Sequence, residues 1–153
     1  DMKEIKDRVD DAVHATKAAV EEGILPGGGV AFLRCLPSLE ALASTLSGDT
    51  KVGVEIIMKA LTSPLRQIAE NAGQEGSIIV QKVSQMGTYE GWDASLDSFG
   101  NMFDKGIVDP TKVVRLTIEL AASVAALLLT TEAVITDEVT DKPAAPAMNH
   151  AGY

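Results

Sequence analysis

Three consecutive glycines, Gly27–Gly29, open an apolar stretch with helical character. Backbone N–H groups at a helix start lack intrahelical partners and carry partial positive charge, so a phosphate can sit there. No Lys-Ser or Lys-Thr pair follows, so this is not a Walker loop, and taken alone the run reads first as a helix-breaking linker. Asp10 and Asp11 are adjacent carboxylates, and Asp11 points away from the apolar stripe of its helix. A solvated face is the plain reading; a general base requires another element to bring substrate to it. Asp109 precedes Pro110 and fits a helix N-cap, with the proline as first helical residue. A carboxylate there can also accept hydrogen bonds from the two hydroxyls of a ribose. Trp92, Asp93, Ala94 and Ser95 lie where exposed backbone could meet a flat base, or could simply form an aromatic-stabilised turn.

Other chemistry is poorly served. His14 and His150 are single and far apart, which suggests no metal cluster. Cys35, the one cysteine, cannot form an intramolecular disulfide, and its place on an apolar helix face predicts a small core residue. No Ser/His/Asp or Cys/His grouping for nucleophilic catalysis is apparent. With 13 Lys+Arg against 22 Asp+Glu the formal net charge is −9, which argues against phosphate-backbone binding.

The elements that must hold these residues are mostly helices. A length of 153 residues suits one domain with a short appendage, and 46% hydrophobic content excludes a mainly disordered chain. Aromatics are only 4%, so the core must be aliphatic. Apolar positions at spacings of three and four predict an amphipathic helix from Met2 to Glu22, stopped by Gly23. After Pro26–Gly29, helix resumes at Val30, is kinked or restarted by Pro37, and runs to about Leu46. Asp49 to Leu61 forms a third helix with Val52, Ile56, Ile57 and Ala60 inward. Ser63–Pro64 starts a fourth through Asn71, closed by Gly73, and Ser77 to Val83 continues as helix. Residues 87–103 change to glycine-punctuated aromatics, a small β-hairpin around Ser95–Asp97. Asp109 to Thr130 is a helix apolar almost all round from Leu120 to Leu129, fit for the inside of a bundle. Glu132 to Thr136 reads as an edge strand, and 138–153 as a disordered tail.

Neither a signal peptide nor a membrane span is expected. The first residues are charged, and the longest apolar run, Ala121 to Leu129, falls short of the roughly 20 residues that cross a bilayer. The expected location is therefore the cytoplasm or an organelle matrix. A start at Asp1 suggests a piece of something longer.

The segments RVDDAVHATKAAVEEGILPGGGVA, SPLRQIAENAGQEGS, GWDA, GIVDPTKVVR and AASVAALLLTTEAV, in order from about Met2 to Asp137, together resemble the C-terminal part of a GroEL-type (group I) chaperonin. The resemblance implies a mainly α fold: a helical bundle of the chaperonin equatorial-domain type, with a small β-hairpin and a C-terminal edge strand. Residues 1–22 would be the returning helix of the intermediate domain, and 23–137 the C-terminal half of the equatorial ATP-binding domain. In the family's pattern Gly28 matches a backbone contact with the nucleotide, and Asp93, Ala94 and Ser95 the segment beside the adenine. Asp109 resembles the carboxylate that holds the ribose hydroxyls. Asp11 resembles the catalytic carboxylate that orients the attacking water at the γ-phosphate. Arg66, Glu75 and Ser77 resemble positions where two rings meet, and the strand 132–136 resembles one shared with a neighbouring subunit.

The implied function is ATP-driven encapsulation of non-native chains by stacked rings of identical subunits, with a co-chaperonin. Nothing here matches the family's threonine-bearing phosphate loop, its Mg2+-ligating aspartate or its apical domain, which lie in other parts of the subunit. The cofactor would be ATP, with Mg2+ held outside this segment. KPAAPAMNHAGY stands where the family commonly has Gly-Gly-Met repeats. Rival readings are a truncated paralogue acting as a non-enzymatic assembly module, and a helical scaffold without nucleotide.

Overall fold

The computed structural model describes residues 2–136, so the tail expected over 138–153 lies outside the described residues. Helix α1 (Met2–Glu22) fills its predicted span. It stops at Gly23, whose φ of 81° only glycine adopts readily and whose N–H donates to the Ala19 carbonyl at 2.8 Å. A three-residue strand, β1 (Ile24–Pro26), leads into the glycine turn. Helices α2 (Val30–Arg34) and α3 (Leu36–Ser44) follow, broken at Cys35 and restarted with Pro37 in the first turn, where its missing N–H costs nothing.

Helices α4 (Gly48–Leu61), α5 (Ser63–Asn71) and α6 (Gly76–Ser84) complete the first half. Glu75 caps α6, its carboxylate accepting the Ser77 N–H. Strands β2 (Glu90–Asp93) and β3 (Ser98–Asn101) then form the expected hairpin, with Trp92 opposite Phe99. Strand β4 (Val108–Pro110) returns to pair antiparallel with β1 and leads straight into α7 (Thr111–Thr130). The β1–β4 ribbon joins opposite ends of the chain.

The core sits where α2, α5, α6 and the hairpin meet. Val30, Leu65, Val83, Trp92 and Met102 are its fully buried large side chains. The buried Trp92 indole satisfies its N–H on Asp97 Oδ1 at 2.9 Å. Arg34, at the end of α2, donates to the carbonyls of Val83, Gly87, Thr88 and Glu90 at 2.8–3.1 Å. It thereby ties the end of α6 to the start of the hairpin, and burial lowers its pKa.

Four expectations need correction. Val52, Ile56, Ile57 and Ala60 on α4 are all exposed, the first three 44–64%, because the described chain places no element opposite that stripe. Cys35 is exposed rather than in the core, since it falls on the break between α2 and α3. Residues 132–136 form no strand among the described residues, where the strands pair only as β1 with β4 and β2 with β3. Helix α7 is 20 residues long and its most apolar 18-residue stretch has a mean hydropathy of 1.8, so by length and composition alone it reaches a bilayer span. Its first turns, however, carry Lys112 and Arg115, which pair with Glu21 and Glu22 of α1.

Candidate nucleotide site

The glycine turn is wedged between three elements. Gly27 donates its N–H to the Ile107 carbonyl at 3.0 Å, and a Cβ there would lie 3.1 Å from the Val108 backbone. Gly28 has φ 65°, and its Cβ position is 3.2 Å from Met102 Cε and 3.9 Å from the Trp92 carbonyl oxygen. At Gly29 a Cβ would come within 2.7 Å of the Leu65 nitrogen, so α5 can approach only because no side chain intervenes. The turn therefore has Trp92, next to Asp93, on one side and Val108, next to Asp109, on the other. Residues 27–28, 92 and 107–108, scattered in sequence, thus meet at this turn, and Asp93 and Asp109 are the chain neighbours of two of them.

Asp109 is not the N-cap expected of it. It lies within β4 opposite Leu25, and Pro110 takes the cap position with an extended ψ of 131°. Pairing with β1 holds 108–110 extended, and a residue before proline is pushed towards β geometry, so the helix begins only at Thr111. The Thr111 N–H donates to the Gly23 carbonyl at 3.0 Å. The half-buried Asp109 carboxylate receives no hydrogen bond from a described residue, and burial pushes its pKa up.

Asp93 is the reverse case. Only 5% exposed, its Oδ1 accepts from the Ser95 hydroxyl at 2.8 Å, the Ser95 N–H at 3.0 Å and the Leu96 N–H at 3.4 Å. Its Oδ2 meets Lys105 Nζ at 3.3 Å. These donors, the Ser95 hydroxyl first, hold its carboxyl below the usual range. The Asp93 carboxylate is thus spent on the turn, of which Ala94 is half-buried and Ser95 exposed.

Sequence comparison matches the chain to the TCP-1/cpn60 chaperonin family over residues 1–139. The chain belongs to this chaperonin family. Its fold is mainly helical, of the chaperonin equatorial-domain type. Among solved structures it is similar to a group III chaperonin in the open state, at 34% identity and a TM-score of 0.71. That likeness covers 77% of this chain and 25% of the other, so the chain spans about a quarter of the chaperonin structure it matches.

The remaining site candidates are placed as follows in this chaperonin chain. Asp11 is exposed on α1 and is not brought to the glycine turn. It stands a dozen residues before Gly23, roughly 18 Å along the helix axis. Among the described residues the ion pairs that tie α1 to the rest come from its last turn, Glu21–Lys112 and Glu22–Arg115 at 2.7 Å. Arg66, Glu75 and Ser77 do come together: Arg66 Nη1 donates to Ser77 Oγ at 3.0 Å, and that hydroxyl donates to Glu75 Oε1 at 2.8 Å. The Ser77 bonds lower the Glu75 pKa. Among the described residues no group of His, Cys, Asp and Glu is arranged to hold a metal. Sequence reasoning missed Lys105 and Arg34. Their partners lie on other elements, and only the hairpin register and the α2–α6 packing pair them.

Proposed function

We propose that this chain is the C-terminal segment of a group I chaperonin subunit that binds and hydrolyses ATP to drive protein folding. Residues 1–22 act as the returning helix of an intermediate domain, and 23–137 as the equatorial half that carries nucleotide contacts. The observation that supports this reading is a glycine turn packed against Trp92 and Val108, the chain neighbours of Asp93 and Asp109, with a half-buried Asp109 carboxylate that no described residue hydrogen-bonds. A ribose supplies two O–H donors to such a carboxylate, the Gly28 backbone can approach a phosphate, and the 93–95 backbone can meet a base. The group I assignment rests on the sequence motifs, and the cytoplasm or an organelle matrix is the proposed location.

When bound, ATP supplies the phosphoryl group whose transfer to water drives the conformational cycle. Asp11 would accept a proton from that water, which requires α1 to swing about Gly23 until the carboxylate stands over the γ-phosphate. Gly23, with φ 81° between α1 and β1, is the residue about which such a turn would be made. Arg66, Glu75 and Ser77 would contact a second ring of identical subunits. Non-native proteins and a co-chaperonin would engage parts of the subunit outside this segment, as would Mg2+.

In the complete protein Asp11→Ala should leave ATP affinity nearly intact and slow turnover steeply, since the carboxylate acts on the water rather than on bound nucleotide. Equilibrium nucleotide binding and single-turnover hydrolysis check this together. Collapsed affinity with normal turnover of bound ATP would refute the role. The isolated chain should hydrolyse ATP no faster than background, because phosphoryl transfer depends on charge-neutralising contacts to the phosphates. Magnesium-dependent phosphate release by the isolated chain, abolished by Asp11→Ala, would contradict this.

A further inference from the structure

The Asp93 carboxylate is nearly buried and meets two different demands. Oδ1 gathers the amides and the hydroxyl that fold residues 93–96 into a turn. Oδ2 faces the ammonium of Lys105, twelve residues on, whose Nζ also donates to Ser98 Oγ at 2.7 Å. The Lys105 side chain is itself only 21% exposed. It reaches this position by crossing β3 at Gly100, where a Cβ would lie 3.0 Å from Lys105 Cε. A carboxylate with one oxygen committed to the turn and little water needs a fixed counter-charge, and Lys105 supplies it.

We propose that Lys105 is a positioning residue for nucleotide, acting through Asp93: it locks the 93–96 turn so that the backbone beside Gly28, not the Asp93 carboxylate, meets the base. This rests on the nucleotide reading above. A neutral side chain of similar length, as in Lys105→Met, leaves the Asp93 charge without its partner and loosens the turn. Asp93→Asn removes the need for a counter-charge while keeping an oxygen for the Ser95 and Leu96 amides. The two changes together should therefore restore what Lys105→Met loses.

The experiment is a double-mutant cycle in the complete, assembled protein, with binding of ATP and of a ribose triphosphate lacking the base measured for each variant. Lys105→Met should weaken ATP roughly three- to tenfold and leave the base-free probe unchanged. Amide exchange at Ser95 and Leu96 should speed up without nucleotide. Asp93→Asn/Lys105→Met should return ATP affinity close to the starting value. Equal weakening of both probes would mean that Lys105 only supports the fold, and unchanged ATP affinity would mean that the turn needs no lock; either overturns the proposal. If the unsubstituted protein binds the base-free probe but gains nothing from the base, the Lys105 role falls alone. If it binds neither probe, the nucleotide reading falls first.

Discussion

At Asp109 a carboxylate is held half out of water with no donor among the described residues to offset its desolvation. Its pKa is raised on folding, so its contribution to stability is greatest at low pH and is lost as pH rises through the folded value. At neutral pH the charge therefore opposes folding. Asp109→Asn should leave the melting temperature at pH 7 unchanged or higher, while weakening nucleotide binding by removing charge-assisted bonds to the ribose. Because Asp109 is not a cap, the loss of about 0.5–2 kcal/mol that accompanies deletion of an N-cap should not appear. Calorimetry paired with a binding titration in the complete protein checks both halves; a clearly lowered melting point would show a structural role. Gly91 is constrained by space alone. A Cβ there would lie 2.4 Å from Val30 Cγ2 and 2.8 Å from Met102 Sδ, both in the core. Gly91→Ala should cost about 1–3 kcal/mol, read as a lower denaturant midpoint, and an unshifted midpoint would mean that the hairpin can lift away freely.

Helix α1 is attached to the rest by charge more than by burial. It buries no residue, and its last turn is held by Glu21–Lys112, Glu22–Arg115 and, beyond them, Arg115–Glu119. Exposed pairs of this kind are individually weak and are screened by salt, which suits the swing proposed for this helix. Arg115→Ala should speed amide exchange in the last two turns of α1 and leave the α5–α6 core unaffected. Equal protection before and after would show that α1 is held otherwise. Glu22, Glu75 and Asp93 all have depressed pKa values, through Arg115, Ser77 and Ser95 respectively. Their stabilisation is complete above the unfolded carboxylate values of about 4 and is lost as pH falls through the lower folded ones. The chain should accordingly keep its α1 contact down to about pH 5 and release it below about pH 4, which circular dichroism and proteolysis within α1 would follow.

For the whole molecule, the decisive feature is how much apolar surface lacks a partner. Leu120, Val124, Leu127, Leu128 and Leu129 on α7 are 56–86% exposed, and α4 and α1 add their own open stripes. Patches beyond a few hundred Å² are uncommon on stable monomers. The −9 charge opposes association, but it is screened beyond about 8 Å at physiological salt. The isolated chain should therefore self-associate or adopt a loosely packed state. Light scattering coupled to size exclusion gives the answer: a compact monomer of 16.1 kDa with sharp melting and no dye binding would sink the idea.

What the sequence determined by itself was local. Helices α1, α4, α5 and α6, the Gly23 stop and the β2–β3 hairpin all follow from residues within a few positions of one another, where periodicity, caps and turn formers act. Outward stripes on α4 and α7 were legible as apolar but not as exposed, because periodicity says which face is greasy and not what covers it. Only tertiary structure decided the rest. Asp109 became a strand residue because Leu25, far away in sequence, pairs with it. The Asp93 carboxylate turned inward because the hairpin register brings Lys105 across Gly100 to meet it. The Ser95 and Leu96 donors to Asp93 are local, but the Leu25 pairing and the Lys105 ammonium come from other segments, and no local pattern records which segment will arrive.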